Sequence, residues 1–299
     1  MPRNGEWFND DPFWETFAPI MFDNAHWAET ASVADGITRL ARLDLYRVNS
    51  GPGPGPGEAA EPPATAPAAK VPAAPATPPR CLDLCCGFGR VGLELARRGF
   101  SLTGVDITAA YLDCAREDAA AENLDAEFIR EDVRDFKRPG AFDIAINIYN
   151  SFGYFENPSD DLLLCRNARE SLKKGGTFFI ETIGKEIAAR DFIDGEWFRR
   201  AGYFVFTEYE VLDSWGAIKN TWRLIPEAAA GCAPSSGSPA APVSAVPVIE
   251  KTFVHRLYAA SELRSLLLEA GFASVDVYGD WDERPYDEGA VKLILAGRT

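Results

Sequence analysis

Three glycines mark one segment of the chain for ligand binding. Gly87, Gly89 and Gly92, in the segment DLCCGFGRVG, have the G-x-G-x-x-G spacing of a nucleotide-binding turn between a strand and a helix. Such a turn directs backbone N–H groups and the N-terminus of a helix at the ligand. Alone, this motif indicates either a dinucleotide that carries hydride or another adenosine-containing cofactor.

Three acidic residues around the turn discriminate between these cofactors. Asp106 ends the second predicted strand, where a carboxylate can accept hydrogen bonds from ribose hydroxyls. Asp132 follows the third predicted strand in EFIREDVRDF, where it can accept from an adenine amino group while the Val133 N–H donates to a ring nitrogen. Asp83, inside the first strand, would repel a pyrophosphate but suits an ammonium group. The pattern favours S-adenosylmethionine (SAM) over NAD(P).

Alternating strand and helix signals would position these residues. From residue 80 onward we predict strands at 80–84, 101–106, 126–130, 142–148 and 177–182 and helices at 90–98, 108–122 and 160–172. This alternation is typical of a mostly parallel sheet with helices on both faces. Segments 203–211, 217–224 and 249–257 predict a small antiparallel sheet. A helix at 261–270 and strands at 274–278 and 291–296 complete the main sheet.

The remaining segments differ in composition from this α/β pattern. Residues 1–48 carry an aromatic cluster (Trp7, Trp14, Phe17, Phe22 and Trp27) and a helical pattern from about 25 to 46, which predicts an N-terminal helical cap. The cluster either packs on the core or forms an apolar lid over the cofactor. Residues 49–79 and 227–248 are rich in Pro, Ala, Gly and Ser, which predicts two flexible insertions.

As an ordered set, these segments resemble the class I SAM-dependent methyltransferases, most closely the bacterial small-molecule type. The motifs that carry the likeness are CLDLCCGFGR, LTGVDIT, EFIREDVRDF, FDIAINIYNSFGYF, SLKKGGTFFIE and LYAASELRSLLLEAGF. The resemblance implies a Rossmann-like α/β fold with a seven-stranded, mostly parallel sheet. It also implies a SAM-binding domain at 80–299, in which an antiparallel insertion at 195–257 roofs the substrate pocket.

The resemblance also implies roles for individual residues. Asp83, Cys85, Gly87 and Gly89 would line the methionine end of SAM, and Cys85-Cys86 stands where the family often has Gly-Cys. The other expected cofactor contacts are Asp106 and Ile107 at ribose and adenine, Asp132 and Val133 at the adenine edge, and Asn147 beside the sulfonium. Alternatively, Asp106 and Asp132 cap helices and Asn147 is structural.

The methylated atom decides whether catalysis needs a base. An amine must only arrive deprotonated, whereas a hydroxyl needs a general base within hydrogen-bond reach. We predict Tyr154 and His255 as catalytic or substrate-contacting residues, and His26 is a further candidate base. The expected reaction is in-line methyl transfer to N or O of a small molecule.

Composition limits the other function classes. The net charge of −15 argues against a large nucleic-acid partner, because such binding depends on Lys and Arg. Two histidines and six cysteines without a C-x-x-C pair predict no metal site. We expect no membrane span and a cytoplasmic location. The alternatives are an RNA or protein methyltransferase, a non-catalytic SAM-binding protein and, last, an NAD(P)-dependent oxidoreductase.

Overall fold

The computed structural model describes residues 6–22, 24–42, 77–230 and 247–299. Its N-terminal part contains a 3₁₀ turn (Trp7–Asn9) and helices α1 (Asp11–Met21), α2 (Asn24–Ala28) and α3 (Thr30–Leu40). Over the described residues, the helix predicted from about 25 to 46 is therefore two helices, and its last predicted residues, 43–46, lie outside the described ranges. Arg90 explains the break, because its guanidinium donates to the His26 carbonyl oxygen at 2.6 Å, the acceptor that a continuous helix would use for Thr30. Most of both predicted insertions (49–76 and 231–246) lies outside the described residues.

The larger sheet has seven strands in the order β10-β11-β5-β4-β1-β2-β3. In chain order its strands are β1 (Arg80–Leu84), β2 (Ser101–Asp106), β3 (Ala126–Arg130), β4 (Phe142–Asn147), β5 (Leu172–Thr182), β10 (Ser274–Tyr278) and β11 (Leu293–Arg298). All neighbours pair in parallel except β11, which is antiparallel to both β5 and β10. The predicted Rossmann-like, mostly parallel sheet is confirmed.

Helices flank this sheet, and α4 (Arg90–Arg97), α5 (Ala109–Ala121), α6 (Pro158–Ser171) and α9 (Ala260–Glu269) correspond to predicted helices. The prediction missed α7 (Lys185–Arg190), and a short helix α8 (Glu227–Ala230) occupies the start of the segment predicted as the second flexible insertion. Phe142, Ile144 and Phe178 are fully buried, as expected for strands covered on both faces. Because parallel strands share one direction, their carboxyl ends meet at a single edge of the sheet.

The smaller sheet is antiparallel, in the order β6-β7-β8-β9. Its strands are β6 (Gly195–Arg200), β7 (Tyr203–Leu212), β8 (Ala217–Pro226) and β9 (Ile249–Arg256), so the prediction missed β6. In β6, Glu196 and Arg200 lie on the face shared with Val205, whereas Trp197 on the other face is 63% exposed. This edge strand lacks the apolar-inward alternation that identifies a half-buried strand.

The N-terminal helices pack against the smaller sheet as well as the larger one. Phe13, Phe17 and Ile20 of α1 form an apolar cluster with Val205 and Leu224 of the antiparallel sheet. Val33 and Ile37 of α3 instead belong to the core on one side of the main sheet. The residues before position 43 therefore bridge the two sheets.

Gly36 should be intolerant of a larger side chain, although it is helical. A Cβ at this position would lie 2.7 Å from Trp281 Cβ and 2.8 Å from the Trp281 carbonyl oxygen. Overpacking costs about 1–3 kcal/mol, and this exceeds the gain of about 1 kcal/mol in helix propensity. We expect Gly36→Ala to lower the midpoint of thermal unfolding by a few degrees. Ser32→Ala on the exposed face of α3 is the control, and equal midpoints for the two variants would contradict this packing.

Candidate functional site

A cavity of about 560 Å³ opens at the carboxyl ends of the parallel strands, which is within the usual size range of ligand pockets. Three parts of the chain line it. The N-terminal helices contribute Trp14, Ile20, Met21, Phe22 and His26; the main sheet contributes Asp83, Cys85, Gly87, Asp106, Ile107, Asp132, Val133 and Tyr154; the antiparallel sheet contributes Glu196, Phe198, Arg200, Tyr209, Trp222 and Phe253.

The glycine-rich turn leaves β1 through residues in the left-handed region. Cys85 has φ +59°, Gly87 has φ +54°, and Gly89, with φ +73°, is the N-cap of α4. This explains why glycine is common at the position of Cys85, since a side chain is disfavoured at positive φ. A Cβ on Gly87 would meet no atom closer than 3.8 Å, so this glycine is required by its φ and leaves room beside the cavity.

Asp106 organises the turn from the end of β2. Its Oδ2 accepts from the Gly87 N–H at 2.8 Å, and its Oδ1 accepts from the Thr108 N–H at 2.9 Å. Burial is the main cause that raises the pKa of this carboxyl. Hydrogen bonds from the Thr108 hydroxyl and the Ile107 N–H also stabilise its ionised form, and Asp106 lines the cavity, where a ligand donor can approach it.

Asp83 has an unusual protonation equilibrium. It is 4% exposed, and burial together with the negative charge of Asp106 raises its pKa to about 8, against a hydrogen bond from the Gly92 N–H and the positive charge of Arg90. A further positive charge beside this carboxyl would favour its ionised form at neutral pH. An ammonium group supplies that charge and a pyrophosphate does not.

Asp132 and Val133 lie on the cavity wall after β3, next to Ile107. Both oxygens of Asp132 accept from the guanidinium of Arg134, at distances of 2.5 to 3.1 Å. The prediction considered Asp132 alone and missed this cation, although Arg134 is printed in the same EDVRDF motif. The spacing of Asp132 and Arg134, two residues apart, was the sequence signal that could have indicated this ion pair.

Two predicted contacts do not reach the cavity. Gly89 is not among the lining residues, and its N–H donates to the Cys86 carbonyl oxygen at 2.8 Å. Asn147 is fully buried, and its Nδ2 donates to the Leu84 carbonyl oxygen at 2.8 Å. Both residues therefore contact the backbone of β1 or of the turn, and their predicted contact with the cofactor stays a prediction.

The loop after β4 brings Tyr154 to the cavity, whereas His255, on β9, does not reach it. Tyr154 lines the cavity, and burial raises the pKa of its phenol, so the hydroxyl stays protonated. His255 is 8% exposed, is not a lining residue, and lies 2.8 Å through Nε2 from the Phe152 carbonyl oxygen. Because a carbonyl only accepts, Nε2 carries the proton. Burial lowers the pKa of this imidazole, so a neutral His255 holds the loop, and the structure does not support it as a catalytic base.

Side chains from the core hold the N-terminal helices over the cavity through backbone carbonyls. Tyr111 donates to Trp14 O at 2.6 Å, Tyr149 to Met21 O at 2.8 Å, and Arg200 to Ile20 O at 2.7 Å. Of the predicted aromatic cluster, Trp14 and Phe22 line the cavity, whereas Trp27 is 44% exposed. Part of the cluster thus covers the cavity (Trp14 and Phe22), and part packs elsewhere, as Phe17 does against the antiparallel sheet.

The antiparallel sheet supplies polar and aromatic groups that the prediction did not identify. Glu196 and Arg200 come from the missed strand β6, and Tyr209 from β7. Burial, and then the charge of Glu196, raise the pKa of Tyr209. Since β6 pairs with β7, strand pairing rather than any local motif brings these residues to the site.

The described residues hold no cluster of His, Cys, Asp and Glu suited to a metal ion. None of the helices in the described ranges is long and apolar enough to cross a membrane.

Comparison with known proteins agrees with this geometry. Residues 81–176 match the family model described as a methyltransferase domain. A putative methyltransferase from Geobacillus sp. (strain WCH70) is 28% identical over 34% of this chain and 41% of its own length. A ubiquinone biosynthesis O-methyltransferase from Histophilus somni is 28% identical over 38% of this chain and 48% of its own length. The chain therefore spans less than half the length of these curated relatives.

Solved structures extend the likeness in fold to almost the whole chain. The sugar N-methyltransferase KedS8 from Streptoalloteichus sp. covers 100% of this chain and 96% of its own, with a TM-score of 0.61 and 15% identity. The SAM-bound amino pentose methyltransferase CalS10 from Micromonospora echinaspora covers 96% of this chain and 97% of its own, with a TM-score of 0.60 and 17% identity. Residues 81–176 are thus identified as a methyltransferase domain, and the fold that contains them is one shared with SAM-dependent methyltransferases of known structure.

Proposed function

We propose that the protein transfers a methyl group from SAM to an amine nitrogen of a small molecule. The observation that carries the cofactor assignment is the convergence of Asp83, Asp106 and Asp132 on one end of the cavity. Three carboxylates fit a cofactor that bears an ammonium group, two ribose hydroxyls and an adenine amino group. The cavity, covered by the N-terminal helices, favours a small acceptor over a polymer.

Each residue of the cofactor end has a proposed contact. Asp83 pairs with the ammonium group, Cys85 and Gly87 border the methionine chain, and Asp106 accepts from the ribose. Ile107, Asp132 and Val133 hold the adenine, and Gly89 and Asn147 support the turn. The cofactor supplies an electrophilic methyl group on a good leaving group, so the protein has to align the acceptor and exclude water.

The lining of the cavity supports nitrogen as the nucleophile. Tyr154 is a lining residue, and burial raises the pKa of its phenol, so it is suited to donating a hydrogen bond and not to removing a proton. An amine that arrives deprotonated needs no base. The fold neighbour KedS8 is a sugar N-methyltransferase and CalS10 an amino pentose methyltransferase, and both descriptions, which are of those proteins, are consistent with an amine acceptor.

Oxygen methylation is a second candidate, which one observation favours. The His26 imidazole lines the cavity, with its ring centroid 4.6 Å from that of Tyr149. A histidine on the cavity wall could remove the proton of a phenol. The match to a ubiquinone O-methyltransferase is consistent with this alternative.

The cofactor assignment predicts SAM binding that depends on Asp106. Asp106→Asn removes charge-assisted bonds to ribose, each worth about 1.5–3 kcal/mol, so we expect the Kd for SAM to rise about 10- to 100-fold. Isothermal titration calorimetry measures this. The matched control is Asp143→Asn on β4, because Asp143 contacts Arg80 and Lys173 away from the cavity. Binding of NAD instead of SAM would contradict the proposal.

Proton release should accompany SAM binding. With a pKa of about 8, Asp83 is mostly protonated at pH 7, and pairing with an ammonium group stabilises its ionised form. Binding then releases close to one proton, and affinity rises between pH 6 and 7.5, below the titration of the cofactor's own amine. Calorimetry in phosphate and in Tris should give different enthalpies. Asp83→Asn should abolish the difference, and identical enthalpies for wild type would refute the pairing.

His26 distinguishes the two candidate reactions. If the acceptor is an amine, His26→Gln should leave kcat nearly unchanged, because no base is needed. If the acceptor is a phenol, the same substitution should lower kcat about 10²- to 10⁴-fold. The measurement uses SAM with acceptors from an amine and phenol screen. Tyr154→Phe is the companion variant, and a loss of kcat as large as that of a missing base would show that its assignment as a hydrogen-bond donor is wrong.

A further inference from the structure

Arg134 is a fully buried cation just behind the adenine end of the cavity. Its side chain is 0% exposed, and it follows Asp132 and Val133, which line the cavity. The Asn167 side chain donates to the Arg134 carbonyl oxygen at 2.7 Å, so the backbone here is fixed to α6. A buried guanidinium must be matched by acceptors, because an unpaired charge is strongly destabilising.

Three acids from separate parts of the chain surround this guanidinium. Asp132 contacts it with both oxygens, and Asp160 of α6 accepts from it at 3.0 Å. Glu6 contacts it with both oxygens, at 2.7 and 2.6 Å. Among these partners, only Glu6 belongs to the N-terminal segment that covers the cavity. Arg134 therefore links that segment to Asp132, the residue expected to accept a hydrogen bond from the adenine amino group.

Aromatic rings extend this junction to the cavity wall. The Arg134 guanidinium lies 4.5 Å from the ring centroid of Phe155 and 5.6 Å from that of Phe8, and both rings line the cavity. Phe8 is two residues beyond Glu6, and its carbonyl oxygen accepts from Trp14 Nε1 at 2.7 Å. The position of Glu6 thus sets where the first aromatic residues of the covering segment meet the cavity.

We propose that Arg134 is a positioning residue whose ion pair with Glu6 clasps the N-terminal segment over the adenine end of the cavity and so retains the cofactor. The proposal rests on the proposed function, since it takes SAM to be the ligand. The clasp closes when Glu6 reaches the guanidinium that already orients Asp132. The Arg134 guanidinium then fixes both the N-terminal segment that covers the cavity and Asp132, the expected contact of the adenine.

This arrangement predicts an effect on cofactor retention more than on folding. Without Glu6, Arg134 keeps Asp132 and Asp160, so no buried charge is left unmatched. Replacing Arg134 itself would leave two or three acids without their cation, and Glu6 is therefore the residue to change. If loss of the clasp reduces the closed population to about one tenth, the apparent Kd rises about tenfold. Because the closed N-terminal segment slows the release of the cofactor, we expect the change in Kd to come from a faster dissociation rate.

The test uses the full chain with SAM and S-adenosylhomocysteine as probes. Kd is measured by calorimetry, and dissociation by stopped-flow tryptophan fluorescence, since Trp14 lines the cavity. We expect Glu6→Ala to raise Kd and the dissociation rate about tenfold, Glu6→Gln to have a smaller effect, and the unfolding midpoint of the ligand-free protein to stay near that of wild type. A merely structural role would lower that midpoint.

Asp11→Asn is the matched control. It removes another ion pair of the N-terminal segment, the 3.0 Å contact with Arg130, whose side chain is 51% exposed, and exposed pairs contribute little. Unchanged binding by this control alongside weakened binding by Glu6→Ala supports the clasp. Equal binding by wild type and Glu6→Ala, or equal weakening by both variants, overturns it while leaving the cofactor assignment intact. Failure of wild type to bind SAM overturns the proposed function and the clasp with it.

Discussion

The burial of three carboxylates at one sheet edge is the constraint on which the site depends. Each ionised acid loses hydration there, and the chain compensates each one differently. Asp106 accepts from the Gly87 and Thr108 N–H groups, and Asp132 accepts from the Arg134 guanidinium. Asp83 accepts from the Gly92 N–H and also feels the positive charge of Arg90, but burial and the negative charge of Asp106 outweigh both and raise its pKa to about 8. The positive φ of Gly87 accompanies the contact of its N–H with Asp106. The ammonium group of the proposed cofactor would add a further positive charge beside Asp83.

Elements with local signals could be predicted from the sequence. The bounds of β1, β2, β3 and β10 agree with the predicted ranges, because each is a short segment with aromatic, β-branched or other apolar residues flanked by turn or loop residues, a signal that needs no help from the rest of the fold. Strand β6 had no such signal, since pairing with β7 and not its own alternation makes it a strand. The division between α2 and α3 depends on Arg90, more than sixty residues away in the chain, and no local pattern encodes it.

The same distinction applies to the site. The residues that line the cavity as predicted lie near the carboxyl end of a parallel strand or in the loop after it, and the pattern already indicated the direction of these strands: Asp83, Cys85, Gly87, Asp106, Ile107, Asp132, Val133 and Tyr154. His255 was misplaced, because residues along a strand alternate faces and only the tertiary packing decides which partner a buried imidazole finds. The contact of Glu6 with Arg134 spans 128 positions in the chain, so the motif that contains Arg134 could not reveal its partner.

The position of Cys85 exposes its thiol to alkylation by a methyl donor bound in the cavity. Its thiol borders the cavity, and burial followed by the charges of Asp106, Asp83 and Asp132 raises its pKa well above the ordinary value. Only the thiolate of cysteine is strongly nucleophilic. A cofactor that donates methyl groups is an alkylating agent, and a thiolate at this position would compete with the acceptor and inactivate the protein by alkylation. The acids that are proposed to hold the cationic cofactor also raise the pKa of the neighbouring thiol, and this disfavours its alkylation by the cofactor.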